Sequence, residues 1–274
     1  MIKRISVLGC GWLGFPLAKV LLNDGFEVKG SVTEPIKFGK MEQAGIRPYR
    51  LVIYEDRVEF DNPGFFGSDL VIVAIPPRRI PDIETVFPNQ IRQLTALLER
   101  HKTEKVLFIS STSVYAESEG TATEEDELVP DKPSGRALVA AENLLRRNPN
   151  FRTTVLRFGG LIGSDRNLAR FLSRQREALG GTKPVNLIHQ DDCIGIIREL
   201  IRQQVWGDTF NACCPAHPTR KEFYERASAV SGLPAPEFAD VREPYKIVDS
   251  TKLIRSLGYQ FKYPSPMDYL AKIE

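Results

Sequence analysis

Along the first 160 or so positions, short apolar runs alternate with longer stretches in which apolar residues recur every three or four places. The runs Ile5–Leu8, Glu27–Val32, Pro48–Ile53, Leu70–Ala74, Lys105–Ile109 and Thr153–Leu156 predict strands, because β-branched and aliphatic residues crowd within them and turn formers bound them. The stretches Leu13–Asn23, Thr85–Arg100 and Ser134–Arg147 predict amphipathic helices. Strands that alternate with helices of this length predict an α/β fold, a doubly wound parallel sheet with helices on both faces. After Gly163 the rhythm changes to helices Leu168–Leu179, Ile194–Gln203 and Arg220–Ser231, separated by short strands and proline-rich loops, which predicts a small C-terminal α/β lobe. The expected division is residues 1–163 for the main domain, joined by segments from about 185–213, and 164–274 for the lobe.

The loop after the first strand reads Gly9-Cys10-Gly11-Trp12-Leu13-Gly14 and runs into a helical pattern that Gly25 can stop. A strand, this G-x-G-x-x-G turn, a helix and a second strand form the dinucleotide-binding unit of a Rossmann domain. The first glycine permits the tight turn, the second admits a pyrophosphate, and the third lets the helix pack on the strand. The phosphates then meet free N–H groups at the helix start. In an open parallel sheet ligands lie beyond the carboxyl ends of the strands. The expected cofactor-binding residues are therefore Gly9, Gly11, Trp12, Leu13, Gly14, Ser31, Thr33, Ala74, Pro76 and Ser110. The expected cofactor is NAD(P), with NADP preferred: Ser31, Thr33 and Lys37 suit a 2′-phosphate, whereas Glu34 falls late for the acidic role in NAD binding. That preference reverses if Glu34 swings in.

Composition adds mainly exclusions. Lys plus Arg number 37 against 35 Asp plus Glu, so nothing global points to nucleic acid or an anionic membrane. Four cysteines, two adjacent at Cys213-Cys214, give neither a disulfide framework nor metal-ligand spacing, which suits a reducing cytoplasm and no metal. Lys3-Arg4 before an apolar stretch imitates a signal peptide, but the glycine loop interrupts it. No apolar run reaches the roughly 18 residues of a membrane span.

Further motifs carry a resemblance. Ser110-Ser111-Thr112-Ser113-Val114-Tyr115, the stretch Leu156-Arg157 to Gly163, the Asn186–Asp192 box and Gly258-Tyr259 stand in the order found in the extended short-chain dehydrogenase/reductases. The chain resembles that family, the NAD-dependent epimerases and dehydratases among it, over nearly its whole length. It is most similar to an atypical, YeeZ-like branch whose opening also reads G-x-G-W-L-G and whose serine box reads S-S-T-S-V-Y. The resemblance implies that Ser111 orients substrate and that Tyr115 lines the site, and these two are the catalytic candidates. It also exposes a departure. The family's acid/base tyrosine, with a lysine four residues on, corresponds to Ser134 and Leu138, and none of the eight tyrosines has a lysine four residues later. A serine beside no cation exchanges protons poorly at neutral pH.

Substrate-side candidates are Arg136, Asn186 and His189. Arg136 can hold a phosphate or carboxylate bidentately, or lie on a solvated helix face. The imidazole of His189 titrates near neutrality and could serve as acid or base. The resemblance instead makes the 186–192 box a lobe junction, with Asp191 or Asp192 capping the next helix. Arg166, Arg170 and Arg174 are candidates for a substrate pyrophosphate, or again for a solvated face. Two functions stand side by side: an NAD(P)-dependent oxidoreductase or epimerase on a small hydroxylated substrate with a non-standard acid/base, and a non-catalytic NAD(P)-binding sensor or interaction protein. A β-hydroxyacid dehydrogenase shares the glycine loop but continues into a long helical domain not legible here. Monomer and homodimer both stay open.

Overall fold

The computed structural model describes residues 2–163, 166 and 178–273. In chain order its elements are β1 (Arg4–Leu8), α1 (Gly14–Asn23), β2 (Glu27–Val32), α2 (Phe38–Gln43), β3 (Arg47–Ile53), β4 (Val58–Phe60), β5 (Leu70–Val73), α3 (Ile83–Arg100) and β6 (Lys105–Ser111). There follow β7 (Gly120–Ala122), α4 (Pro133–Arg146), β8 (Arg152–Phe158), β9 (Gly160–Ile162), β10 (Leu187–His189), α5 (Gln190–Gln203), β11 (Thr209–Ala212), α6 (Arg220–Val230), β12 (Lys246–Val248), α7 (Thr251–Leu257) and α8 (Pro266–Lys272).

Eight strands form one sheet in the order β11-β8-β6-β5-β1-β2-β3-β4. β1 pairs in parallel with both β2 and β5, β2 with β3, and β5 with β6; β4 runs antiparallel against β3. All four residues of β5, Leu70 to Val73, are buried, as both faces of a central parallel strand must be. The chain winds outward from β1 through β2 and β3, then resumes at β5 on the other side of β1, so the order reverses between β1 and β5. That switch point is where an open α/β sheet leaves a crevice, and the glycine turn leaves β1 there. The Rossmann fold read from the sequence is thus observed.

Local chemistry explains the boundaries. α1 ends before Gly25, whose φ of +90° lies in the left-handed region that favours glycine. α3 turns Ile83, Phe87, Ile91, Leu94 and Leu98 inward at helical spacing. α4 opens on Pro133, whose missing N–H costs nothing in a first turn. α6 starts on a capping box in which Thr219 and Glu222 satisfy each other's backbone N–H.

The six expected strands and the helices corresponding to α1, α3, α4, α5 and α6 are present, with α5 starting at Gln190 rather than Ile194. Helix Leu168–Leu179 lies outside the described residues save for its last two, of which Ala178 bridges to Phe238. The contacts divide the chain into two compact units. Unit 1 comprises Met1–Val114, Val129–Arg157 and Ile197–Thr209; unit 2 comprises Tyr115–Leu128, Phe158–Ile196 and Phe210–Glu274. Unit 2 contains two small parallel pairs, β9 with β10 and β7 with β12. No described helix is long and apolar enough to cross a membrane.

Candidate functional site

In unit 1 the turn after β1 is fixed from below. Cys10 N donates to Ser31 O at 2.8 Å, Gly9 N to Ser31 Oγ at 3.1 Å, and Gly11 N to Gly9 O at 2.8 Å. Ser31, 2% exposed, is therefore part of the turn's foundation, with its hydroxyl turned in toward Gly9. Thr33, Glu34 and Lys37, just past β2, are exposed. The three glycines are held by different constraints. Gly9 has φ +96°, and a Cβ there would lie 2.9 Å from Ala74 O and from Ile75 Cγ2; at Gly14 a Cβ would lie 2.1 Å from Gly9 O. At Gly11 a Cβ would meet no atom within 4 Å. Protein packing accounts for the first and third glycines and leaves the second facing open space. No side chain caps α1 and its first turn holds no acidic residue; Phe15 N donates to Gly11 O at 3.1 Å and Pro16 has no N–H, so of the first helical residues Gly14 keeps an N–H without a side-chain acceptor. Leu13 is buried and Trp12 half-buried at the turn, while Ala74 is half-buried and Pro76 exposed past the end of β5.

At the end of β6, Ser110 donates to Glu142 Oε1 at 2.6 Å. Arg157 grips the same carboxylate, with Nε 3.1 and 3.2 Å from the two oxygens and Nη2 2.6 Å from Oε2. The side chains of Arg157 and Glu142 are 2% and 1% exposed. Ser111 is half-buried and its Oγ accepts from Ser113 N at 3.2 Å, a turn-capping bond that leaves its O–H free to donate. Ser134 and Leu138 lie on α4, Leu138 at 3% exposure within the core. Arg136 forms a bidentate pair with Glu84 at 2.7 and 2.8 Å and also donates to the carbonyls of Pro130 and Asp131. It clamps the start of α3 to the loop before α4.

In unit 2, Tyr115 is 3% exposed and donates to Asn211 Oδ1 at 2.8 Å. Beside it Lys246 Nζ, also buried, donates to Tyr115 O at 2.7 Å and reaches Glu117 at 3.1 Å. Asn186 holds β12 at both ends of its amide: Nδ2 donates to Lys246 O and Oδ1 accepts from Val248 N, each at 2.8 Å. His189 is 5% exposed between the rings of Tyr263 and Tyr269, with both centroids at 4.4 Å. Its Nδ1 accepts from Asp191 N at 3.1 Å, so Nε2 carries the proton of the neutral ring, and Nε2 is buried without a hydrogen-bond partner. Burial pushes this imidazole below its ordinary pKa, against the opposing pull of Asp191 and Asp192.

The expectation that Asp192 caps the following helix is corrected. Its carboxylate, wholly buried, instead accepts from Lys262 N at 2.6 Å, Tyr259 Oη at 3.0 Å and Tyr263 N at 3.2 Å, and so anchors the segment after α7. Asp191 pairs with Lys262 at 2.5 Å. Arg166 donates to Leu161 O at 3.1 Å, and Arg170 and Arg174 lie outside the described residues. All four cysteines are free and buried, and burial raises their thiols, Cys10 and Cys214 to about 12. Among the described residues no His, Cys, Asp and Glu cluster could hold a metal ion. The sequence did not reveal the Ser110–Glu142–Arg157 cluster or the buried Lys246. Arg157 inside an apolar strand was the available signal for the first.

Sheet order and turn geometry define a Rossmann-type α/β protein with the architecture of short-chain dehydrogenase/reductases and nucleotide-sugar epimerases. By structure it is similar to a short-chain dehydrogenase/reductase superfamily protein from Agrobacterium tumefaciens with bound NAD (TM-score 0.77, 17% identity, 98% of this chain and 95% of that one). It is likewise similar to the UDP-glucuronic acid 4-epimerase of Bacillus cereus in complex with NAD (TM-score 0.77, 19% identity, 99% of each chain). No family model matches the chain. Its sequence is 32% identical to Protein YeeZ of Escherichia coli K12 over 269 residues, 97% of this chain and 98% of that protein. The chain belongs to the YeeZ family.

Proposed function

We propose that the chain binds NAD(P) at the Gly9–Gly14 turn and acts as an epimerase/dehydratase-type oxidoreductase or epimerase on a small hydroxylated molecule. Gly11 carries this reading: the space beyond it is open, and no contact within the chain accounts for a glycine there. Gly9, Gly11, Trp12, Leu13 and Gly14 would hold the pyrophosphate, aided by the uncapped start of α1, with Ala74 and Pro76 beyond the end of β5 and Ser110 at the penultimate position of β6. When bound, the nicotinamide supplies hydride transfer. The free O–H of Ser111 can donate to a substrate oxygen, and Tyr115 is the second catalytic candidate, its hydroxyl committed to Asn211. Ser134 and Leu138 in place of a tyrosine and lysine mean that proton transfer follows another route than in the related enzymes. Ser111→Ala with Tyr115→Phe should abolish turnover, and turnover that survives both refutes this assignment.

Of the groups suited to a 2′-phosphate, Thr33 and Lys37 are exposed, which supports a preference for NADP; Ser31 is 2% exposed with its Oγ accepting from Gly9 N, and its burial weighs against a contribution. The Bacillus cereus relative acts on a nucleotide sugar, in keeping with a hydroxylated substrate here. Arg136, Asn186 and His189 remain substrate-side candidates, although all three already hold protein partners, His189 through Nδ1. The proposed setting is the cytoplasm, without a nucleic-acid, membrane or metal partner. A second reading, a non-catalytic NAD(P)-binding sensor, is favoured by Leu138, a buried apolar side chain at the position four residues after Ser134 where the related enzymes would carry a lysine.

The test is a calorimetric titration with NADPH and with NADH, on the parent chain and on Gly11→Val. Glycine-dependent binding, tighter for NADPH, is expected. Binding that is equal in both proteins, or absent from both, overturns the dinucleotide site.

A further inference from the structure

Arg146 closes α4, Arg147 caps it, and Arg152 opens β8; with Asn143 and Gly207 they line a polar cavity of about 580 Å³ in unit 1. Arg136, Arg157 and Arg198 are each matched to a carboxylate, but Arg146, Arg147 and Arg152 have no ion pair or hydrogen-bonded side-chain partner among the described residues. Of the acidic groups nearby, Glu99 Oε1 accepts from Asn148, itself part of the cavity lining, and from Asn150, and Asp208 accepts from Thr209 N at 2.7 Å. Gly207, with φ +88°, has its N–H fixed on Thr154 Oγ1 at 3.0 Å, and a Cβ there would meet nothing within 4 Å. The cavity is therefore open and positively charged, with planar guanidinium groups suited to oxyanions.

Its position separates it from the glycine turn. Arg152 N donates to Glu104 O at 2.9 Å, so β8 and β6 begin side by side at this end of the sheet. The glycine turn follows the carboxyl end of β1, roughly 20 Å away by the rise of a strand of this length. Asn143 and Arg147 also line an adjoining groove of about 490 Å³ whose floor is apolar, made by Pro88, Ala140 and Leu144 between α3 and α4. Both volumes fall in the range of small-molecule sites.

We propose that this end of unit 1 is a second ligand site, which takes a phosphorylated small molecule with its phosphate among Arg146, Arg147 and Arg152 and its apolar part in the α3–α4 groove. The proposal is independent of whether the glycine turn binds a dinucleotide.

The test is calorimetric titration at low salt with inorganic phosphate and with phenyl phosphate, performed on Gly11→Val so that the glycine turn does not contribute. Phenyl phosphate should bind, more tightly than inorganic phosphate, and Arg147→Gln with Arg152→Gln should weaken it about 100-fold, about tenfold for each guanidinium removed from the phosphate. The exposed arginines make an unchanged melting temperature the expected control, and Arg146→Gln alone should weaken binding about tenfold. Absence of binding up to about 10 mM, equal binding by the arginine variants, or no advantage of phenyl phosphate over phosphate would each overturn the proposal.

Discussion

Replacing Glu142 by Gln keeps the shape of the side chain and removes the charge facing Arg157. In the parent, the guanidinium is 2% exposed and makes contacts of 2.6, 3.1 and 3.2 Å to a carboxylate that is 1% exposed. The variant keeps a buried cation without its counter-charge and turns amide hydrogens toward N–H donors. Breaking a buried pair from one side costs about 3–5 kcal/mol, and at about 2–4 °C per kcal/mol the melting temperature should fall by about 6–20 °C. Arg157→Met should cost a similar amount, because it leaves the carboxylate buried with, among the described residues, only Ser110 as donor. The double variant Glu142→Leu with Arg157→Met removes both charges and should recover most of the loss, since an apolar pair of similar volume is about as stable as the ion pair. Urea unfolding of parent, single and double variants closes the cycle. A Glu142→Gln protein that melts within about 2 °C of the parent, or a double variant worse than the sum of its singles, refutes the claim that the charges are dry and mutually dependent. NADPH affinity should fall in Glu142→Gln alongside stability, because Ser110 at the end of β6 loses its charged acceptor.

Gly14→Ala, with its Cβ 2.1 Å from Gly9 O, should cost about 1–3 kcal/mol or more by overpacking, whereas Gly11→Ala should leave urea stability within about 0.5 kcal/mol of the parent. Burial lowers the pKa of both His189 and His217 from the ordinary value of 6.5. The unfolded chain therefore takes up protons that the folded chain refuses, and stability should fall as pH drops below about 6.5 while staying level above it. Asp192, raised from 3.8 by burial, acts in the opposite sense at the acid end; His189→Phe should flatten the decline, and a urea midpoint independent of pH between about 7 and about 5.5 would refute it. Asp192→Asn should cost about 1–3 kcal/mol in urea unfolding, because an amide cannot accept all three of the N–H and O–H donors that converge on the carboxylate. The four thiols should resist Ellman's reagent in native buffer and all react in denaturant, and prompt native labelling would contradict their burial.

Which parts of this molecule the sequence reveals depends on how local the determining physics is. β1, β2, β3, β5, β6 and β8 are four to seven residues long and mostly buried, so their apolar runs are legible, and the glycine spacing by itself marks the switch point. Strands β4, β7, β9, β10 and β12 have three residues each, too few to display a period of two, and their existence depends on partners distant in the chain. α2, α7 and α8 are six or seven residues long and present no sustained stripe. The same distinction governs the site. A Cβ at Gly14 would collide with Gly9 five residues earlier, a relation the G-x-G-x-x-G spacing encodes.

Ser31, Asn186 and Asp192 are different, because type and place in a motif suggest one role for each while the fold gives each a distant partner that the sequence does not show. Ser31 lies 22 residues from Gly9 and closes the turn beneath it, Asn186 lies 62 from Val248, and Asp192 lies 70 from Lys262. A hydroxyl, an amide and a carboxylate are equally apt for a ligand or for a backbone N–H, and only the fold chooses between them. At Ser31 and Asp192 the choice shows in their burial, and it reduces the candidates for ligand recognition to groups whose hydrogen-bonding capacity is left over. By that criterion the Ser111 O–H has a donor to spare, whereas the second glycine, whose N–H and C=O are both bonded at the turn, offers open space rather than a hydrogen bond.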